Sequence, residues 1–186
     1  METVLIDKYI DESISAIKSL RSQTAIIIEL SNEMIKTLTS GGCIFWIGNG
    51  GSAADAQHLA AELVGRFELN REPLKSIALT TDTSTITAIS NDFGFEQVFA
   101  RQVKALVTKK DLLICISTSG TSKNVVNALT IAKEIGCKTA FLTGRMSVQA
   151  DFVINIDSDR TCHIQEGHIT CGQLLCSIID SSLINI

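Results

Sequence analysis

The sequence lacks features that several classes of protein require. Among its 186 residues there is one proline, and Lys and Arg (16) are outnumbered by Asp and Glu (20). Because the charges are interleaved and the net charge is −4, no basic surface for nucleic acid is indicated. Apolar runs such as "AIII" are far too short to span a bilayer, and the acidic N-terminus lacks the basic and long apolar stretches of a secretory signal. We therefore expect a cytoplasmic protein with neither a membrane nor a nucleic acid as a partner.

Cysteine pairs with redox or metal-binding spacing are also missing. The six cysteines form no C-x-x-C pair, and several lie inside apolar runs. This pattern indicates the reduced, buried and unreactive thiols of a cytosolic protein. A hydrophobic content of 45% over this length is sufficient for a substantial core. Since no repeat, low-complexity tract or linker interrupts the chain, we predict a single domain over residues 1–186.

The apolar pattern changes period along the chain. Residues 3–40 have helical spacing, which Gly41 and Gly42 end, and the remainder alternates short β-branched runs with helical patterns. The predicted strands cover residues 44–47, 76–80, 112–117, 139–142 and 152–156. The predicted helices lie near residues 53–66, 84–90, 96–107, 122–135 and 164–183. Continuous apolar strands are typical of a sheet that is covered on both faces, so we predict an N-terminal helical extension (1–40) and an α/β core (41–186) with a parallel sheet between helices.

Two points stay open at this level. The sequence does not define the order of the strands in the sheet. It also does not decide whether the amphipathic N-terminal helices pack against another copy of the chain or add a layer within it.

Three predicted strands end in polar segments, at residues 48–52, 80–84 and 117–122. Ligands of open α/β sheets bind beyond such carboxyl ends. The three glycines of the first segment leave backbone amides uncovered just before a helix, which favours an anion. The segment also matches the dinucleotide pattern G-x-G-x-x-A, but no acidic residue ends the second strand at the required distance. We therefore disfavour nucleotide binding, and a tight turn without a ligand remains an alternative.

The segment "STSGTSKN" supplies several hydroxyls, a glycine and another helix start. This composition suits a single phosphate group, whereas the lysine placement of a nucleotide-triphosphate P-loop is missing. Ser122 could instead serve only as a helix N-cap, and the other serines only as turn formers. Two such loops after neighbouring predicted strands favour a sugar phosphate as the ligand.

Two helices carry polar residues at helical spacing. His58 and Glu62 are four apart and share a face of their helix, one turn from its glycine-rich start. They are either a surface pair, a metal-binding pair, or an acid–base group beside a bound sugar phosphate. On the last helix Gln165 and Gln173 are eight apart, with His168 at the edge of their face. On their own these glutamines resemble residues at the boundary of a core.

Five segments resemble a known family: "GNGGSAADAQHLAAELVGRF", "ALTTDTSTITAISNDFGFE", "FARQV", "ISTSGTSKNV" and "IQEGHI". Together they resemble the phosphoheptose isomerases of the sugar isomerase (SIS) fold, nearly end to end. The resemblance implies a flavodoxin-like, three-layer sandwich with a five-stranded parallel sheet. It also implies a homotetramer with active sites between subunits. The implied reaction interconverts sedoheptulose 7-phosphate and D-glycero-D-manno-heptose 7-phosphate, the first step toward nucleotide-activated heptoses.

The resemblance further implies roles for individual residues. Those implied to contact the substrate are Asn49, Gly50, Gly51, Ser52, Glu62, Asn91, Asp92, Ser117, Thr118, Ser119, Ser122 and Gln165. One zinc ion per subunit is implied, and its ligand positions are His58, Glu62, Gln165 and Gln173. The implied catalytic positions are Glu62, which matches the family's proton-transfer base, and Gln173.

Two positions depart from the family pattern. Gln173 stands where the family has a histidine that is its last zinc ligand and second acid–base candidate, and His163 replaces an arginine that usually precedes "IQE". A glutamine can offer zinc a carbonyl oxygen, but it cannot exchange a proton at neutral pH. His168 is no substitute, because it points about 140° away from Gln173 at ~100° per helical residue. If two proton carriers are needed, we expect a loss of about 10²–10⁴-fold in activity.

Three interpretations follow from the departure at residue 173. The chain is an isomerase that tolerates the change, with water relaying protons, or an altered enzyme for a related sugar phosphate. Alternatively, it is a non-catalytic protein that binds a sugar phosphate or a protein, as one group of SIS proteins binds the replication initiator. The retained His58, Glu62 and Gln165 favour an enzyme, because a protein that only binds has no need to keep them.

Overall fold

Seven α-helices and five strands lie within residues 2–183, the part of the chain that the computed structural model describes. The helices are α1 Glu2–Lys18, α2 Thr24–Thr39, α3 Gly51–Val64, α4 Thr83–Phe93, α5 Val98–Leu106, α6 Lys123–Ile135 and α7 Thr161–Leu183. The strands are β1 Ile44–Gly48, β2 Ser76–Ala78, β3 Leu112–Ile116, β4 Lys138–Thr143 and β5 Phe152–Asn155. Short 3-10 turns cover Ser19–Gln23 and Phe95–Gln97.

The strands form one parallel sheet in the order β2-β1-β3-β4-β5. This is the flavodoxin-like order, in which the chain reverses direction across the sheet between β1 and β3. The predicted α/β fold with a five-stranded parallel sheet is therefore confirmed. Strand β2 is shorter than predicted and lies at an edge, where Ile77 is 46% exposed. Because an edge strand is covered less completely than a central one, the apolar run of β2 is only partly buried.

Helices cover both faces of the sheet. On one face Trp46 of β1 belongs to a buried cluster with Leu30 of α2, Leu59 of α3 and Leu175 of α7. On the other face the buried cluster includes residues of α5 and α6, packed around Phe141. Three layers result, with β1 and β3 buried along their whole length.

The two N-terminal helices have different surroundings. Helix α2 buries five residues and forms part of one helical layer. It therefore adds a layer within the chain, which is one of the two interpretations left open by the sequence. Helix α1 buries only Ala16 and leaves an apolar strip exposed that includes Ile6, Ile10 and Ile14. Its polar side packs against α7, where the Tyr9 hydroxyl donates a 3.0 Å hydrogen bond to Glu166.

The six cysteines are free thiols, and four of them are buried. Burial raises the pKa of Cys171 to about 12, so this thiol stays protonated at neutral pH. Among the described residues, no helix has the length and apolar character needed to cross a membrane.

Candidate functional site

The loop after β1 (residues 48–52, the first loop) and the loop after β3 (residues 117–122, the second loop) start side by side. Gly48 at the end of β1 is the register partner of Ile116 at the end of β3. Neighbouring strands lie about 4.8 Å apart, so the loop after β1 and the loop after β3 leave the sheet as close neighbours. Gly50 has a φ of +54°, a backbone conformation that L side chains rarely adopt, and α3 begins at the next residue. The structure thus places the two predicted anion-binding loops side by side at the carboxyl ends of the strands.

The hydroxyls of the second loop converge. The Ser117 Oγ lies 3.1 Å from the Ser122 Oγ and 3.4 Å from the Ser119 Oγ, and Gly120 turns the loop with a φ of +66°. Ser122 precedes α6 in the N-cap position, but its side chain makes no capping hydrogen bond. Its hydroxyl faces the other loop serines instead, so capping does not account for this residue. Thr118 holds the loop to the neighbouring strand end through its carbonyl, which accepts a 3.1 Å bond from the Gly144 N–H.

A pair of side-chain amides joins the two loops. Asn49 Nδ2 donates to Asn124 Oδ1 at 2.8 Å, and Asn124 Nδ2 donates back to Asn49 Oδ1 at 2.8 Å. Asn124 is the second residue of α6 and is only 3% exposed. The sequence gives no indication of its role, because its partner is 75 residues away. Both ends of the Asn49 amide are thus engaged within the protein.

The predicted acid and imidazole of α3 are in contact. His58 Nε2 lies 2.9 Å from Glu62 Oε1, and the two side chains are 48% and 21% exposed. One turn earlier, Asp55 is half-buried, and burial raises its pKa to about 6, with His58 nearby opposing the shift. Its Oδ2 has no hydrogen-bond partner among the described residues. An accessible carboxylate and imidazole therefore lie one helical turn or more beyond the first loop.

A buried ion pair fixes the end of α3. Arg71 Nε lies 2.6 Å from Asp180 Oδ1, with side chains only 3% and 1% exposed. Arg71 also donates to the backbone carbonyls of Glu62 at 2.9 Å and Leu63 at 2.9 Å. Burial alone would raise the pKa of Asp180, but hydrogen bonds from the backbone N–H of Leu69 and from Arg71 hold it below its usual value. This pair ties α7 to the helical turn that bears Glu62, and sequence reasoning missed it.

Helix α7 runs alongside α3. A Cβ atom at Gly51 would collide with the side-chain nitrogen of Gln165, so this predicted ligand reaches the first loop. Further along, Gly172 leaves just enough space for Leu59 of α3. Gln173, the next residue, is half-buried. Gln165 and Gln173 are therefore on the helix that packs against α3, the helix that bears His58 and Glu62.

Two predicted substrate contacts are on a different helix and make no hydrogen bond to these loops among the described residues. Asn91 and Asp92 are on α4, which has no buried residue, and the Asn91 Nδ2 donates to Asp92 Oδ1 at 2.8 Å. Neither side chain bonds to the first or second loop within residues 2–183. The 3-10 turn that follows packs on α6, where Asn127 donates to the Glu96 carbonyl at 3.1 Å. Helix α4 thus presents this pair on an open surface.

No three His, Cys, Asp or Glu side chains among residues 2–183 converge as a metal site. Two of the four expected ligand positions, Gln165 and Gln173, carry amides and so do not belong to such a group. Any ion here would depend on Gln165 and Gln173 in addition to His58 and Glu62.

Comparison with known proteins agrees with this architecture. The SIS domain family model matches residues 8–144. The phosphoheptose isomerase of Solidesulfovibrio magneticus is 49% identical over 183 residues, which cover 96% of this chain and 90% of the relative. The chain belongs to the phosphoheptose isomerase family of SIS-domain proteins. The resemblance inferred from its motifs is therefore confirmed.

Solved members of the phosphoheptose isomerase family have the same fold. The structure from Neisseria gonorrhoeae superimposes with a TM-score of 0.90 at 40% identity, covering 97% of this chain and 100% of that one. The structure from Francisella tularensis gives a TM-score of 0.87 at 37% identity, with coverages of 97% and 99%. The N-terminal helices are included in this similarity, since nearly the whole chain is covered.

Proposed function

We propose that this protein interconverts sedoheptulose 7-phosphate and D-glycero-D-manno-heptose 7-phosphate, the first step toward nucleotide-activated heptoses. One observation carries the proposal: Gly48 and Ile116 are register partners, which brings two anion-binding loops together at the start of the helix that bears His58 and Glu62. The names of relatives such as those from Solidesulfovibrio magneticus and Neisseria gonorrhoeae support the same reaction.

The phosphate of the substrate binds at the second loop. The Ser117 hydroxyl lies within 3.4 Å of both the Ser119 and the Ser122 hydroxyl, and α6 begins directly after Ser122 with N–H groups that favour an anion. These groups are uncharged, so they hold the phosphate without placing a positive charge beside the reacting carbons. Binding at this end positions the sugar for proton transfer at the other. The backbone amides at Gly50 and Gly51 and the Ser52 hydroxyl complete the first loop's contribution.

Glu62 carries the proton between carbons. Its carboxylate takes the proton from C1 of the ketose, the C–H electron pair forms the C1–C2 double bond, and the C2 carbonyl oxygen becomes negatively charged. Returning the proton to C2 and forming the carbonyl at C1 gives the aldose. The His58 imidazole, 2.9 Å from Glu62, holds this carboxylate in place.

A second proton must move from O1 to O2 during the same reaction. Gln173 cannot carry it, because an amide does not ionise at neutral pH. Water accepts and returns this proton in our proposal, and the Gln173 amide orients that water. Since one proton carrier of the family is replaced, we expect turnover to be slower than with a histidine at this position.

The residues present fit a zinc ion. An imidazole nitrogen and a carboxylate oxygen approach each other within 2.9 Å, and both side chains remain accessible. His58, Glu62, Gln165 and Gln173 would hold the ion, and when bound it would polarise the substrate oxygens and stabilise the enediolate charge. Amide oxygens suit harder cations better than zinc, so its affinity is expected to be lower than with a histidine at residue 173.

A homotetramer and a cytoplasmic location belong to the same proposal. The apolar strip of α1 and the open surface of α4 support contacts with other copies of the chain. In a tetramer Asn91 and Asp92 would then reach a site that is completed by another subunit.

The test is to incubate the purified protein, with zinc supplied, with sedoheptulose 7-phosphate and to follow formation of the aldoheptose. Formation of D-glycero-D-manno-heptose 7-phosphate is the expected result. Binding of the sugar phosphate without turnover would replace this proposal by the non-catalytic interpretation that Gln173 raises. Turnover of a related sugar phosphate alone would identify an altered enzyme.

A further inference from the structure

The reciprocal amide pair between Asn49 and Asn124 has a fixed orientation. Asn124 Oδ1 accepts from the Val125 backbone N–H at 3.0 Å as well as from Asn49 Nδ2. Its Nδ2 must therefore point at Asn49 Oδ1, because a flipped amide would face donors with a donor. The orientation of Asn49 follows from that of Asn124, so the pair has one arrangement that satisfies all its groups.

The burial of the pair makes this arrangement costly to break. Asn124 is 3% exposed, and a buried amide that loses its partner keeps the desolvation cost without the compensating bond. The pair links residue 49, inside the first loop, to the second residue of α6, directly after the second loop. It is the side-chain connection between the two loops among the described hydrogen bonds.

In this arrangement each end of the Asn49 amide makes one hydrogen bond to Asn124, which leaves one Nδ2 hydrogen for a ligand. Both hydrogen bonds at 2.8 Å occupy the amide on the side that faces Asn124. The first loop also offers a ligand its backbone N–H groups, and their position, like that of the remaining Asn49 N–H, depends on where residue 49 is held. The pair therefore orients the Asn49 side chain as well as holding the loop, and the remaining N–H is compatible with the substrate contact that the family resemblance implies.

We infer that Asn124 is a positioning residue: through its amide pair with Asn49 it sets the distance between the two loops, so that a sugar phosphate held at the second loop reaches the first. This inference rests on the proposed function, since the ligand that spans both loops is the sugar phosphate. A ligand that occupies only the second loop, such as inorganic phosphate, does not depend on the distance between loops.

The experiment is a double-mutant cycle of Asn49→Ala, Asn124→Ala and the double variant, with exposed Asn32→Asp on α2 as control. KM for sedoheptulose 7-phosphate should rise about tenfold in each single variant, as expected for the loss of about 1.4 kcal/mol of hydrogen bonding. The double variant should be no worse than Asn49→Ala alone, because Asn124 acts through Asn49. The affinity for inorganic phosphate, measured by calorimetry, should stay within twofold of the unaltered protein.

Three other outcomes overturn the inference, and they differ from failure of the proposed function. Additive effects of the two substitutions would mean that Asn124 acts independently of Asn49. Equal losses for inorganic phosphate and for the sugar phosphate would mean that α6 or its loop is merely disrupted. An unchanged KM would mean that the pair does not position the loops. Absence of sugar-phosphate binding by the unaltered protein itself would instead refute the proposed function, and the inference with it.

Discussion

Replacing Asp180 by asparagine measures how firmly α7 holds the end of α3. The substitution keeps the size of the side chain but leaves the Arg71 guanidinium, 3% exposed, without a counter-charge. It also places an amide nitrogen where one oxygen now accepts the backbone N–H groups of Glu68 and Leu69, each at 2.9 Å. A buried charge without its partner is the expensive state, whatever the net stabilisation of the intact pair.

Removing one member of a buried pair costs about 3–5 kcal/mol. For a chain of this size we expect Asp180→Asn to lower the melting temperature by about 6–20 °C. Because the pKa of Asp180 is below its usual value in the folded state, its contribution is complete above the unfolded pKa and is lost as the pH falls through the folded one. The acid branch of the stability profile should therefore be shallower in Asp180→Asn than in the unaltered protein.

The assay is urea unfolding followed by circular dichroism at several pH values. The matched control is Lys138→Met, which removes a comparable contact of 2.8 Å from the exposed pair with Asp151 and should cost less than about 1 kcal/mol. Arg71→Met combined with Asp180→Leu should lose less stability than Asp180→Asn alone, since no buried charge remains. A loss in Asp180→Asn no larger than in the control would refute the reasoning.

Four further predictions concern the site and its surroundings. Gln173→His should raise both turnover and zinc retained after dialysis; no gain in either would argue that protons and metal follow another route. Gly51→Ala should displace Gln165 and reduce turnover, while the free energy of unfolding changes by less than about 0.5 kcal/mol, because only the flexible end of a side chain must move. Glu62→Gln should reduce turnover by about 10²–10⁴-fold with unchanged circular dichroism, and full activity would remove Glu62 from the mechanism. Burial lowers the pKa of His168 from 6.5 to about 4, so the unfolded chain binds a proton on this group more readily than the folded protein. The free energy of unfolding should therefore fall by about 3 kcal/mol between pH 7 and pH 4. His168→Leu should abolish this fall when unfolding is measured as a function of pH.

Much of the fold is predictable because the strands are continuous apolar runs. Strands β1 and β3 were predicted to within one residue, and both are buried throughout. Helix α7 begins three residues earlier than predicted, since the polar start "TCH" hides its first turn. The strand order was not predictable, because the edge strand β5 reads in the sequence as the same kind of apolar run as the central strands, although it is less buried in the structure.

The site was only partly predictable for a physical reason. Glycines and hydroxyls beside helix starts identify the two loops locally, and the four-residue spacing identifies His58 and Glu62. The contacts that hold these groups join distant parts of the chain: Asn124 meets a partner 75 residues away, and Asp180 a partner 109 residues away. A polar residue inside a helix pattern does not reveal such a partner.

The position of α7 at the end of the described chain has a consequence for synthesis. All five strands are complete by Asn155, whereas Gln165, Gln173 and Asp180 follow on α7. A ribosome-bound chain that stops before Thr161 therefore holds every strand of the sheet but not the helix that braces Glu62. Because a domain generally folds as a unit, competence for ligand should appear only after α7 has been translated.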